Sequence, residues 1–439
     1  MRHITKNRWM RTEYRGRSMK NVACSFVRLA DRVPGVLYEP PEGMETKPAA
    51  ILVIHSDEDY LTFPTGEEMA ARGFRVLCAN VMNKEGIIYS QIEKMKAVKA
   101  AMLYLRAAEG VEKVILMGHS GGGTLMSAYQ AVAENGPSIF QGPEMIYPWP
   151  DTDALIPADG IMLLDSNWGN AVMQLFSLDP AVENENSGKM ISAALDLFNP
   201  ENGFDPEGST YSKEFIDRFQ RAQSIRNNSI LDFALNRLLL LEDGKGDYCD
   251  DEPLIIPGAA QGFFNNKLYA QDKRLFSHTR KPWLLLHPDG SRTTQIIHSL
   301  RGPENPRSFT DSFWEGARFL SVRTYLSSYA VRTELDYGFD EDHAWGIDWA
   351  TTYASPIGNM VHVKVPTLVM GMTAGWEFLA SETIFEHAAA QDRTIAFVEG
   401  ATHKFGPAKH LESFPGEFGD TMRTLHDFLA EWLNDGRFF

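Results

Sequence analysis

Apolar and polar positions along the chain follow two different rhythms. In the first 170 residues, short apolar runs alternate with stretches whose apolar side chains return every three or four positions. That alternation predicts a parallel sheet covered by helices. The run at 49–54, Ala-Ala-Ile-Leu-Val-Ile, is unbroken and rich in β-branched residues, as a strand buried on both faces should be. Runs at 75–80, 113–117 and 160–164 repeat the signal, and those at 23–28 and 36–38 read as edge strands, the second ended by Pro40-Pro41-Glu42-Gly43. Ile92, Met95, Val98, Met102 and Leu105 mark one buried face of a helix over 90–108. Shorter helices are expected over 66–72 and 124–134.

From about 168 to 360 the alternation is lost. Helical stretches at 213–241 and 313–329 are separated by many Asn, Asp, Gly and Pro breaks, and one apolar run, 283–286, reads as a strand. The earlier rhythm then resumes, with a strand at 365–370, a helix at 381–390, a strand at 394–398 and a closing helix at 420–433. The simplest organisation is one α/β core in two parts, 1–167 and 361–439, interrupted by a mainly helical cap at 168–360. No internal repeat is visible.

Composition narrows the field. The chain has 439 residues, 44% hydrophobic and 23% charged, close to globular averages. A net charge of −16 disfavours nucleic acid and anionic lipid as partners. The three cysteines, Cys24, Cys78 and Cys249, have neither disulfide-framework nor zinc spacing, which fits a reducing cytoplasm. The basic N-terminal stretch, Arg2 to Lys20, is followed by no apolar run of signal-peptide length. It reads as an exposed arm, with an Arg-rich transit peptide as the alternative. No apolar stretch reaches the length of a membrane span, and no HExxH-like spacing suggests a metal. No cofactor is expected.

The chemistry concentrates at Gly118-His119-Ser120-Gly121-Gly122-Gly123. It fits G-x-S-x-G, a motif that is informative when it lies between a strand and a helix, as it does here. The plainer reading is a glycine-rich turn that only packs the two elements. On this motif and its setting the chain resembles the α/β-hydrolase family over roughly 30–170 and 361–439. The resemblance implies an α/β-hydrolase fold: a mostly parallel central sheet flanked by helices, with the large cap inserted between the sixth and seventh strands. It further implies Ser120 as nucleophile after the fifth strand and a histidine base after the last strand. His403, in Glu399-Gly400-Ala401-Thr402-His403, is best placed for that base; His410 and His426 are less so, and His119 beside the nucleophile reads as a variable flank.

The acid is harder to assign, because no Asp follows the strand at 365–370 in Gly371-Met372-Thr373-Ala374-Gly375-Trp376-Glu377-Phe378-Leu379-Ala380-Ser381-Glu382. Glu382 is the first choice, with Glu377 and Asp165 as alternatives. Glu382 also has a plainer reading, as a first-turn acid complementing the helix dipole. For the oxyanion hole, the resemblance implies the amide of Gly121 and one from His55-Ser56-Asp57-Glu58-Asp59. Asp57 is the candidate, ahead of Ser56, provided the acidic side chains turn away.

These readings lead to a serine hydrolase cleaving a carboxylic ester, a lactone or a related acyl compound through an acyl-enzyme. An amidase, a carbon-carbon bond hydrolase or an acyltransferase would use the same groups, and a non-catalytic ligand-binding relative is the remaining alternative. The partner expected is a small apolar or aromatic acyl compound, since Trp168, Phe176, Phe198, Phe204, Phe263, Phe264, Trp283, Trp314, Trp345 and Trp349 could wall a pocket. Most of these rings are equally explained as the cap's own core. The sequence leaves the oligomeric state open, a homodimer being one option.

Overall fold

The computed structural model describes residues 22–81, 90–187, 190–260, 267–302 and 316–438. The basic N-terminal arm, Phe263, Phe264 and Trp314 lie outside the described residues. The first part of the core runs β1 (Ala23–Arg28), β2 (Pro34–Glu39), β3 (Ala49–His55), α1 (Pro64–Ala70), β4 (Arg75–Asn80), α2 (Gln91–Arg106), β5 (Lys113–His119), α3 (Gly122–Asn135) and β6 (Gly160–Leu164). Helix α2 starts where the sequence dictates: Ser90 accepts from the Glu93 amide while Glu93 reaches back to the Ser90 amide, a reciprocal cap. The next segment holds α4 (Asn170–Phe176), α5 (Lys213–Glu242), β7 (Pro253–Ile256), α6 (Leu268–Gln271), β8 (His278–Leu286), β9 (Arg292–His298), β10 (Arg318–Ser321), α7 (Val322–Ser328), β11 (Arg332–Phe339), β12 (Ala344–Asp348) and α8 (Pro356–Met360). The chain closes with β13 (Thr367–Met372), α9 (Phe378–His387), β14 (Arg393–Val398) and α10 (Thr421–Asn434).

Ten strands form one sheet in the order β1-β2-β4-β3-β5-β6-β13-β14-β8-β9. From β4 through β8 the neighbours run parallel, and the antiparallel pairs are at the two ends. This is the fold class the resemblance implied. Central strands β3, β6 and β13 are buried at every position, which is why they read as continuous apolar runs instead of alternating ones. Apolar layers close both faces. One centres on Val98, Leu105, Leu125 and Tyr129, the other on Met69, Phe74, Leu425 and Leu429.

The expectation of a separate, mainly helical cap needs changing, since the stretch also carries two antiparallel strand pairs, β7–β10 and β11–β12. The hairpin β8–β9 lies inside the stretch assigned to the cap, yet it extends the main sheet: Leu284, Leu285 and Leu286 pair in parallel with Ala396, Phe397 and Val398. Of this hairpin the sequence signalled only 283–286, because the first half of β8 is polar and half exposed. The helix expected over 313–329 is present in the described residues as β10 followed by α7.

Candidate active site

Strand β5 delivers His119 and Ser120 to the carboxyl edge of the sheet, and the chain turns at once into α3. Ser120 has φ of 55°, in the left-handed region that costs a non-glycine residue about 1–3 kcal/mol. The turn closes tightly, and two glycines explain how. A Cβ on Gly118 would stand 2.7 Å from the Gly122 carbonyl oxygen, and one on Gly123 would collide with Ser166 Oγ at 1.7 Å. The glycine run is therefore a packing requirement of the elbow. The Gly121 amide, at the start of α3, makes no hydrogen bond among the described residues, so it stays available to an incoming oxygen.

His403 stands in the loop after β14. Its Nδ1–H donates to Asp165 Oδ2 at 2.6 Å, which leaves Nε2 as the nitrogen able to accept a proton. Asp165 follows β6, is fully buried, and has φ of 42°. Its other oxygen, Oδ1, accepts the Met372 amide at 3.0 Å, so both carboxylate oxygens are fixed. Space for this comes from Gly375, where a Cβ would lie 2.5 Å from Asp165 Oδ2. Burial works against a charged His403, but the hydrogen bond and charge of Asp165, aided by Glu377 and Glu58, hold its pKa above the ordinary imidazole value.

Glu382 is not part of this arrangement, and the first choice of acid is corrected. Its Oε1 accepts from the Lys281 amide at 3.0 Å and the Trp283 indole at 2.6 Å, and Oε2 accepts from the Arg280 amide at 2.9 Å. It clasps β8 to α9. The cause is direction: α9 starts at Phe378 and carries Glu382, in its second turn, to the β8 side of the sheet, whereas Asp165 directly after β6 meets the His403 loop. Glu377 is buried close enough to interact with His403 and Asp165, but among the described residues its Oε2 has no hydrogen-bond partner. Burial, opposed by Lys267 and His403, pushes its pKa up to about 7.

The expected oxyanion donor Asp57 is also corrected. Its amide donates to His55 Nδ1 at 3.0 Å and is engaged within the turn. Its carboxylate accepts from Lys94 Nζ at 2.8 Å and Ser56 Oγ at 2.6 Å, and these partners outweigh burial and bring its pKa down to about 2. Lys94, buried on α2, thus draws this acid out of the site. Asp59 is held in turn by Asn80 Nδ2 at 2.7 Å.

Sequence reasoning passed over His119. Its Nε2–H donates to the His403 carbonyl at 2.7 Å, and Tyr60 donates to its Nδ1 at 2.5 Å. Strand β5 and the His403 loop are therefore joined through a neutral ring whose pKa burial lowers. No local signal marks a bond across 284 residues of sequence. Of the aromatic residues proposed for a pocket, Trp168 and Phe176 are buried against each other and against Phe276. Trp283 packs on Phe385. Asp340, Asp342 and His343 have metal-ligand spacing, but their atoms already bond one another and the turn's own amides.

No family model and no curated protein matches the chain. Among solved structures, a hypothetical protein from Pseudomonas aeruginosa is similar at 13% identity and TM-score 0.42, with 95% of this chain and 94% of that one covered. An alpha/beta hydrolase, GrgF, from Penicillium sp. is similar at 11% identity and TM-score 0.40, with 95% and 99% covered. Esterase B from Lactobacillus rhamnosis is similar at 10% identity and TM-score 0.39, with 98% and 95% covered. At these values the functional reading rests on the geometry of the site.

Proposed function

We propose that the protein is a serine hydrolase that cleaves a carboxylic ester, a lactone or a related acyl compound through an acyl-enzyme. The observation that carries this is the 2.6 Å bond from His403 Nδ1 to the buried Asp165 carboxylate, beside a serine held in the left-handed conformation at a strand-to-helix turn. Ser120 Oγ attacks the carbonyl carbon as His403 Nε2 takes its proton. Asp165 fixes the ring tautomer and stabilises the imidazolium. The Gly121 amide, at the positive end of α3, donates to the oxygen as charge develops there. Collapse of the intermediate expels the alcohol, which takes the proton from His403, and water then releases the acid by the same route.

Among the described residues the Ser120 hydroxyl makes no hydrogen bond, so the Ser120–His403 contact is expected to close when substrate binds. A fluorophosphonate probe tests the reading. The wild type should be labelled at one site, and Ser120→Ala should lose the label. A wild type that resists labelling defeats the proposal.

A further inference from the structure

The turn after β3 is built around the imidazole of His55. The amides of Asp57 and Glu58 both donate to its Nδ1, at 3.0 and 2.9 Å. A ring nitrogen that accepts carries no proton, so the single proton of the neutral ring is on Nε2. Burial keeps the ring neutral, lowering its pKa to about 4 against the pull of Asp57 and Glu58. Tyr60 stacks on the ring at 4.6 Å and 26°, which fixes its plane.

The opposite edge of the ring faces the nucleophile turn. The point where a Cβ on Gly121 would stand is 3.4 Å from both Cε1 and Nε2 of His55, and only 2.6 Å from Ser56 Oγ. That point is one bond from the Gly121 backbone, whose amide is the first oxyanion donor. Among the described residues nothing accepts from His55 Nε2–H. The amide that sequence reasoning offered as second donor, Asp57, is spent on holding this ring.

We propose that His55 supplies the second oxyanion donor from its side chain: Nε2–H, beside the Gly121 amide, donates to the carbonyl oxygen as it becomes negative. The inference rests on the Ser120 acyl-transfer reading. The donor is set in place before substrate arrives, since two amides and a stacked tyrosine orient it, and no reorganisation is needed at the moment of reaction. A neutral imidazole suffices for this, because it gives a hydrogen bond without taking part in proton transfer.

His55→Asn and His55→Gln separate this role from a structural one. Asn keeps an acceptor for the two turn amides and removes the Nε2 donor, whereas Gln brings an amide N–H toward the Nε2 position. With a p-nitrophenyl ester, Asn should lower kcat by roughly 100-fold or more with KM within about 3-fold, and Gln should recover about 10-fold. An Asn variant with kcat within about 3-fold of wild type overturns the inference, while the fluorophosphonate label at Ser120 still stands for the hydrolase. A wild type that takes no label overturns both.

If the variants do not fold, the wild type serves. A trifluoromethyl ketone should form a tetrahedral adduct on Ser120, seen by fluorine NMR, and move the His55 Nε2–H resonance downfield. The adduct signal with an unmoved His55 resonance counts against His55 alone.

Discussion

Three carboxylates compete for His403 in the sequence, and burial with hydrogen bonding separates them. Asp165 has both oxygens held and one of them on the imidazole, so Asp165→Asn should lower kcat by about 10⁴-fold, as loss of the tautomer-fixing acid does. It should also move the acid limb of kcat/KM downward, because Asp165 is what lifts the His403 pKa. An unchanged limb would remove Asp165 from the site. Glu377 gives a stability signature. Unfolded, it ionises near 4.5, but in the fold it keeps its proton up to about 7. A raised acid costs the fold stability as pH rises from about 4.5 to 7. Glu377→Gln, which cannot ionise, should therefore gain up to roughly 3 kcal/mol over wild type at pH 8 relative to pH 4.5. Urea melts with the same difference at both pH values would refute this. Ser120 and His403 were legible because each follows a strand with an unmistakable apolar run. Asp165 was legible only as one strand-end acid among several, since its partners are 207 and 238 residues away.

The alternation of strands and helices could be read because buried parallel strands must be apolar throughout, and β3, β5, β6, β13 and β14 all are at their centres. The hairpin β8–β9 escaped because its outer strand, Arg292–His298, is mostly exposed and carries no such run. What attaches it is in part Glu382, whose carboxylate takes hydrogen bonds from two β8 amides and from Trp283. Glu382→Ala leaves those three donors to find water, and Arg280 and Lys281 are exposed enough to do so. The loss should be about 1–3 kcal/mol in a urea melt, with kcat nearly unchanged. A collapse of kcat with stability intact would return Glu382 to the catalytic set.

The rhythm of apolar runs placed a core of two separated parts around one long insertion, and it could not say whether that insertion stands apart. The packing says it does not. Strand β8 covers β14, which would otherwise be the sheet's edge beside the His403 loop. Trp168 and Phe176 share one apolar cluster with Leu163, Val369 and Leu379 of the core. Near the far end of the insertion, Ser355 Oγ donates to the Trp168 carbonyl at 2.8 Å, so its beginning and end are tied together at the core. Joining residue 167 directly to 361 would therefore remove two sheet strands, strip the apolar cover from α9 and expose the edge of β14. Such a chain should lack a cooperative thermal transition and bind a hydrophobic dye. A cap that was only a lid would leave the shortened chain folded, with a sharp transition and a serine that still takes a fluorophosphonate. That outcome would show that the hairpin is an ornament of the sheet and that the catalytic core folds without it.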